Sequence, residues 1–351
     1  MSETNTNAGQ VANLELIAES DGLWLSALKR LLRNRAAVLG IVIIILSIFV
    51  AIFAEQLSPE SKCRKIPIWS CQTLTAKSAA PQWIIDIFPT MIAKGQDGGY
   101  VNLSDDYPLG ADILGRDMFS RILFGARISL MVAFIGPAVA LIVGVTLGLI
   151  SGYLGGWVDN LIMRITDIMY AFPTLLFIIL LMAFFRPTTG TLEPGSFGAA
   201  MQDLDASTGG MLFIFIGIGI TSWMQMARLT RGQVLAVREQ EYVQAAQAIG
   251  APTSQIMWRH IVRNILGPII VAETLTIPRY ISYEAFLSFI GLGVNPPTPS
   301  WGAMISDGAA TIRSYPHQAL FPALALFLIM FAFNFLGDGL RDALDPRTRE
   351  D

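Results

Sequence analysis

Three charged residues stand where charge is costly. Glu273, Arg279 and Glu284 interrupt an otherwise apolar stretch running from residue 265 to 293. An ionisable group inside lipid is expensive and usually faces a protein interior or a water-filled path. Glu273 and Glu284 are separated by about 20° around a 3.6-residue helix and about 16 Å along it. Both can therefore line one side of a conduit and are candidate translocation-path residues. The alternative is that Glu284 sits near the outer interface and only Glu273 is deep. Arg279 follows Pro278 and falls off that face. It ranks below the two acids as a path residue and is also a candidate to pair with another helix.

Other chemistry is thin. Two His and two Cys are too few for a multi-ligand zinc or iron–sulfur centre. Gly110 to Asp117 imitates a phosphate-binding loop but lacks both the Lys and the Ser/Thr that such a loop needs. No Ser/His/Asp grouping or H-E-x-x-H pattern stands out, so the chain reads as non-catalytic. Cys63 and Cys71 lie in one polar segment and are candidates for a small disulfide loop.

The elements that must position these residues are spans. Of 351 residues, 53% are hydrophobic and only 15% charged, against ~25% charged in a typical soluble domain. A net charge of -3 argues against a nucleic-acid binder with a broad basic face. Crossing a ~30 Å hydrocarbon core takes about 20 apolar residues. Uncharged runs at 36–54, 128–158, 168–185, 206–227 and 314–337, with the interrupted stretch at 265–293, predict six membrane helices. The turn after the second is expected at Gly155–Gly156, and Pro173 is expected to kink the third.

The polar, acidic first 21 residues do not read as a cleavable signal. After them, Leu25, Leu28 and Leu32 alternate at helical spacing with Lys29, Arg30, Arg33 and Arg35. That is either a basic helix on the inner membrane surface or a cytoplasmic extension of the first span. Thirteen Lys and Arg fall in segments placed inside by an N-in topology, against Arg186 and Arg313 in the short outer loops. The expectation is an all-α membrane protein with both termini inside. Residues 1–35 form the cytoplasmic N-terminus, 36–56 the first span and 57–127 an external segment. A five-helix core occupies 128–340, with a cytoplasmic loop at 228–264, and 341–351 form a tail.

Two further patterns carry physical content. Gly136, Ala140, Gly144, Gly148 and Gly152 recur every four residues, which makes a groove for close helix approach. In the inner loop, 233–249 is rich in helix formers and Gly250 with Pro252 is a stop signal. Ser254 is the expected cap of the helix that follows. Small Ala245 and Ala246 beside Gly250 suit a groove on another protein.

At this loop the sequence resembles the permease subunits of bacterial ABC importers, whose signature is E-A-A-x-x-x-G. Glu241, Ala245, Ala246 and Gly250 match it in the longer form of the peptide branch. Further blocks agree: Leu114 to Arg121, Gly125 to Leu130, Leu287 to Gly293, Ser300 to Gly308 and Gly337 to Pro346. The likeness is to the C-type permease of the oligopeptide/dipeptide family. It implies the six-helix importer permease fold in the bacterial inner membrane. It also implies a second homologous permease, two ABC ATPases that bind the ATP and Mg, and an external solute-binding protein. Glu241, Ala245, Ala246 and Gly250 are then the ATPase-coupling residues, and this chain itself holds no cofactor. Peptides are the implied solute, with nickel, glutathione or oligosaccharide as alternatives in the same machinery. A secondary transporter without an ATPase is the rival from another class. The external stretches at 58–106 and 186–210 are longer than the family pattern.

Overall fold

The computed structural model describes residues 23–59, 70–186 and 195–345. Among them the chain is all-helical, with isolated β-bridges only. Five helices are long and apolar enough to cross a membrane, and a sixth span arises if one bent pair counts as one. The first is α2 (Arg35–Ile52), preceded by a separate short α1 (Leu23–Arg33). Asn34 makes the break: its side chain accepts from the backbone N–H of Ala36 and Ala37 at 3.0 and 3.2 Å, satisfying the orphan donors of α2. So α1 is a distinct helix and not a straight continuation of the span. Leu31 on it is buried with Ala343, while Trp24, Leu25, Leu28 and Leu32 stay exposed.

The second span, α3 (Met118–Leu154), begins ten residues before its expected start at 128. Two arginines hid that start. Arg121 is buried beside Asp112 at 3.7 Å. Arg127 donates to the carbonyls of Ala51 and Ile52 at 2.6 and 3.2 Å, with its guanidinium 4.8 Å from the Phe124 ring. Charges that look like a span boundary are thus absorbed by partners. A π-helical turn at Ala140–Val145 interrupts α3. Gly155 and Gly156 then reverse the chain at positive φ (65° and 59°), which Cβ-bearing residues rarely adopt.

The third span is the bent pair α4 (Gly156–Tyr170) and α5 (Thr174–Phe185), which meet at 76° around Pro173. After α6 (Phe197–Ser207) come α7 (Leu212–Arg238), α8 (Glu241–Ala248), α9 (Thr253–Phe289), α10 (Trp301–Ala309) and α11 (His317–Leu344). The every-fourth small residues of α3 receive α7 as the spacing predicts. A Cβ on Gly144 would lie 2.7 Å from Met226 Cβ, and one on Gly148 would lie 2.6 Å from Thr230 Cβ. On Gly152 it would meet Val234 at 2.8 Å, and on Gly136 it would meet the Tyr280 ring of α9 at 2.8 Å. No larger residue fits there without pushing the helices apart.

Outside the bundle, the stretch before α3 folds against the outer end of α11. Ala80, Ile84, Met91 and Val101 form a small core against Tyr315 and Phe321. Gln318 donates to the Ala111 carbonyl at 2.9 Å. Gly110 to Asp117, the imitation phosphate loop, does structural work. Asp112 accepts from the backbone of Leu114 and Arg116, both at 2.9 Å, and Asp117 caps α3 through Ser120 N at 2.9 Å. Cys71 is buried and disulfide-bonded; Cys63, its proposed partner, lies outside the described residues.

Candidate functional site

The inner loop is not one helix from 233 to 249. The span α7 runs on to Arg238, the chain breaks at Glu239–Gln240, and a separate eight-residue helix, α8, carries the E-A-A signature. The break is invisible in a sequence of good helix formers. One long-range contact and two local ones hold it: Arg238 donates to the Gly152 carbonyl at 3.0 Å and pairs with Glu239 at 3.0 Å, while Gln244 caps back onto the Glu239 carbonyl at 3.1 Å.

The far end of α8 has a defined stop. Ala251 N–H donates to the Ala246 carbonyl at 3.1 Å and Gly250 N–H to that of Gln247 at 2.9 Å, with Gly250 at φ 79°. That is a Schellman closure, which favours glycine at its left-handed position. Ser254 does not cap the next helix. Extended Pro252 precedes it, Thr253 begins it, and a π-helical turn at Ile256–Val262 leads into the fifth span.

Only two side chains of α8 are buried. Val243 and Ala246, one turn apart, sink into a cluster with Leu149, Val234, Ile256, Ile261 and Ile265. Those neighbours belong to α3, α7 and α9, so the buried face of α8 joins an apolar cluster shared by the ends of three spans. Glu241, Ala245 and Gly250 are exposed on the other side, and Ile249 is 85% exposed. Nothing lies within 4 Å of a Cβ built on Gly250. Partial desolvation raises the pKa of the Tyr242 hydroxyl above its ordinary value, against a hydrogen bond with Asn264. The face that carries three of the four signature residues is thus small, apolar in part and uncovered in this chain.

Behind α8, α7 is clamped. Arg231 makes a two-pronged pair with Asp159 on α4, both contacts at 2.6 Å, and Ser151 also donates to that carboxylate. Arg228 pairs with Asp167 at 2.5 Å and stacks 4.4 Å over the Tyr170 ring. Planar, two-pronged pairs of this kind fix orientation as well as distance.

Further up the same helices is a cavity of about 270 Å³, lined by residues of the α4–α5 break, of α7 and of α9. Arg279 and Gln225 face each other in it, with Arg279 Nη1 donating to Gln225 Oε1 at 3.2 Å. Neither glutamate lines it. Glu273 is 4% exposed and accepts from the Tyr280 hydroxyl at 3.1 Å. Glu284 is fully buried and accepts from Ser288 at 2.7 Å and from Ser129 of α3 at 3.4 Å. In this chain the two acids are packed between helices, and Arg279, ranked third from sequence, faces open space together with Gln225, which sequence reasoning missed. A lone Gln in an apolar span was the available signal.

The comparisons bear on this geometry. A sequence model of the family described as the binding-protein-dependent transport system inner membrane component matches residues 144–350. A second, the N-terminal TM domain of oligopeptide transport permease C, matches residues 22–63. The oligopeptide transport system permease protein OppC of Bacillus subtilis is 39% identical over 344 residues, covering 98% of this chain and 95% of the relative. The dipeptide transport system permease protein DppC of the same organism is 37% identical, covering 99% and 91%. The glutathione transport system permease protein GsiD of Pectobacterium atrosepticum is 42% identical over 241 residues, covering 69% and 73%. Among solved structures, a chain of the MetNI methionine ABC transporter superposes with a TM-score of 0.51 at 16% identity, covering 65% of this chain and 98% of that one, a likeness of fold. With the apolar spans, the anchored inner helix and matches over nearly the whole length, the chain belongs to the binding-protein-dependent transport system inner membrane components and is a multi-pass inner-membrane permease of the ABC transporter class.

Proposed function

We propose that this chain is one of two permease subunits in an ATP-driven importer of peptides. A second homologous permease completes the path, two ABC ATPases bind and hydrolyse ATP with Mg, and an external solute-binding protein delivers the peptide. Both termini and α8 lie on the cytoplasmic side. The peptide assignment leans on the oligopeptide and dipeptide permeases among the relatives. The glutathione permease keeps a second reading open, in which the same machinery takes a short modified peptide.

The observation that carries the mechanism is the seat of α8. Its buried face is fixed to α3, α7 and α9 through Val243 and Ala246, and its exposed face presents Glu241, Ala245 and Gly250. A helix seated this way passes a displacement on to the spans it packs against. Closure of an ATPase dimer against the exposed face displaces α8, and the clamped α7 and the continuous α9 move with it. From Arg238 at the inner end to Gln225 in the cavity is about 20 Å of unbroken helix. A rigid rod of that length converts a shift below the bilayer into a change of access at the cavity. The two end states must differ in their contacts with the ATPases, or nucleotide could not shift the balance between them.

The test is Gly250→Glu in the assembled complex. The substitution places a bulky charge at a left-handed position on the docking face, where a Cβ has nothing within 4 Å. ATP-dependent peptide uptake into proteoliposomes is expected to vanish while the protein inserts and the apolar core stays intact. Uptake at the normal rate, or uptake that persists in wild type after ATP is exhausted, contradicts the mechanism and favours an ATPase-independent carrier.

A further inference from the structure

The strongest unassigned feature is the cation in the cavity. Arg127 is held by the carbonyls of Ala51 and Ile52, and four other packed arginines have an acid at hand: Arg231 has Asp159, Arg228 has Asp167, Arg186 has Asp205 and Arg116 has Asp112. Arg279 has none among the described residues. Its one bond goes to the neutral Gln225, the middle residue of α7. One accepted proton leaves most of a guanidinium's five donors unused. A cation inside a spanning helix, held by a neutral amide and bordering open space, is set to receive a negative group.

A second, independent observation points to the same place. The chain between α4 and α5 is non-helical at Ala171 to Pro173, inside a bent, apolar pair of helices that is either a broken span or a re-entrant loop. Backbone of that kind is tolerated at membrane depth only where protein covers it or where it lines a water-filled cavity. Phe172 and Pro173 line this one. Its remaining wall mixes hydroxyls (Thr221, Ser222, Thr276) with the rings of Tyr170 and Tyr283 and offers no acid. Such a lining holds one carboxylate firmly and tolerates many kinds of side chain beside it.

We propose that Arg279, held in place by Gln225, is the point at which the main-chain carboxylate of a peptide docks in transit. The inference rests on the peptide reading above. A free C-terminal carboxylate is the one negative group common to all linear peptides, so a site that reads it serves a broad range of sequences. Arg279 is exposed in this chain, so the contact is partly screened and weak enough to release its load, as a conducting path requires. Arginine suits the task because its planar fork matches both carboxylate oxygens.

The experiment uses the complete complex in proteoliposomes with its binding protein. Uptake of tri-alanine is compared with uptake of its C-terminal amide, each at a concentration saturating the binding protein. Wild type is expected to prefer the acid. Arg279→Gln lowers that preference about tenfold, the loss of one charge-assisted hydrogen bond, while amide uptake and co-purification of the other subunits are unchanged. Arg279→Lys retains part of the preference. Equilibrium dialysis of tri-alanine against the complex without its binding protein shows the same loss and removes any selection made outside. An unchanged acid-to-amide ratio in Arg279→Gln overturns the assignment, as does an equal fall in both peptides or loss of the second permease, which makes Arg279 a subunit contact. A wild-type complex that imports neither peptide with ATP refutes the peptide reading itself, and this inference with it.

Discussion

The outer end of this permease and the helix α8 at the other end are held in opposite ways. Outside, charge is buried and shared. Asp112 lies 2.5 Å from Arg116 and 3.7 Å from Arg121, and Arg116 reaches Asp307 at 3.5 Å. Arg186 is fixed by Asp205 at 2.6 Å and by the carbonyls of Leu292, Gly293 and Gly210. The Trp301 indole donates to the Ile122 carbonyl at 3.0 Å. Partial burial raises the pKa of Asp307 against the arginines beside it, although its side chain is half exposed. Inside, α8 is held by two small apolar side chains, and most of its surface is bare. The outer end is braced, so the spans keep their relation to one another there. The inner end is a lightly seated handle. A lever needs both.

Substitutions at the two ends should therefore separate stability from transport. The largest effect on stability belongs to Asp112→Ala. Asp112 is almost fully buried, and its loss leaves Arg116 and Arg121 without their shared acid. The expected cost is about 3–5 kcal/mol, read as a lower unfolding temperature in detergent and a smaller folded yield. The molecules that do fold should still couple ATP to uptake. A change below about 1 kcal/mol would mean the outer network braces nothing.

A smaller cost, with the opposite functional outcome, is expected of Val243→Ala. Removing two buried methyl groups from the seat of α8 costs about 2 kcal/mol locally, with little change in global unfolding. Transport per folded complex should fall several-fold while ATP hydrolysis continues, because the handle then slips on its seat. Full coupling in this variant would show that the seat is not where force enters.

How much of this was readable beforehand follows from what each signal depends on. Apolar runs and the glycine spacing depend on local composition and packing period. They located the spans and predicted a close helix approach along α3, which α7 makes at Gly144, Gly148 and Gly152. Boundaries depend on partners far away in sequence. The start of α3 was missed because Arg121 and Arg127 find Asp112 and the carbonyls of α2, which no local window reveals. The break at Glu239–Gln240 was missed for the same reason: Arg238 is drawn to Gly152. The signature residues were legible as a motif, but that Ala246 faces inward while Ala245 faces outward needed the fold. Along α9 the angular argument made Glu273 and Glu284 candidates for one lining face, but which groups meet that face is decided by neighbours on other helices. Ser129 and Ser288 meet Glu284, Tyr280 meets Glu273, and Arg279 is left beside the cavity.

The most direct measurement is an inter-subunit crosslink from the exposed face of α8. With Ala245→Cys in the assembled complex, a short bifunctional reagent should join this chain to an ATPase subunit, and the yield should change when ATP is added without hydrolysis. No crosslink to any ATPase, or a yield indifferent to nucleotide while uptake proceeds, would contradict the claim that α8 is where the motor grips the permease.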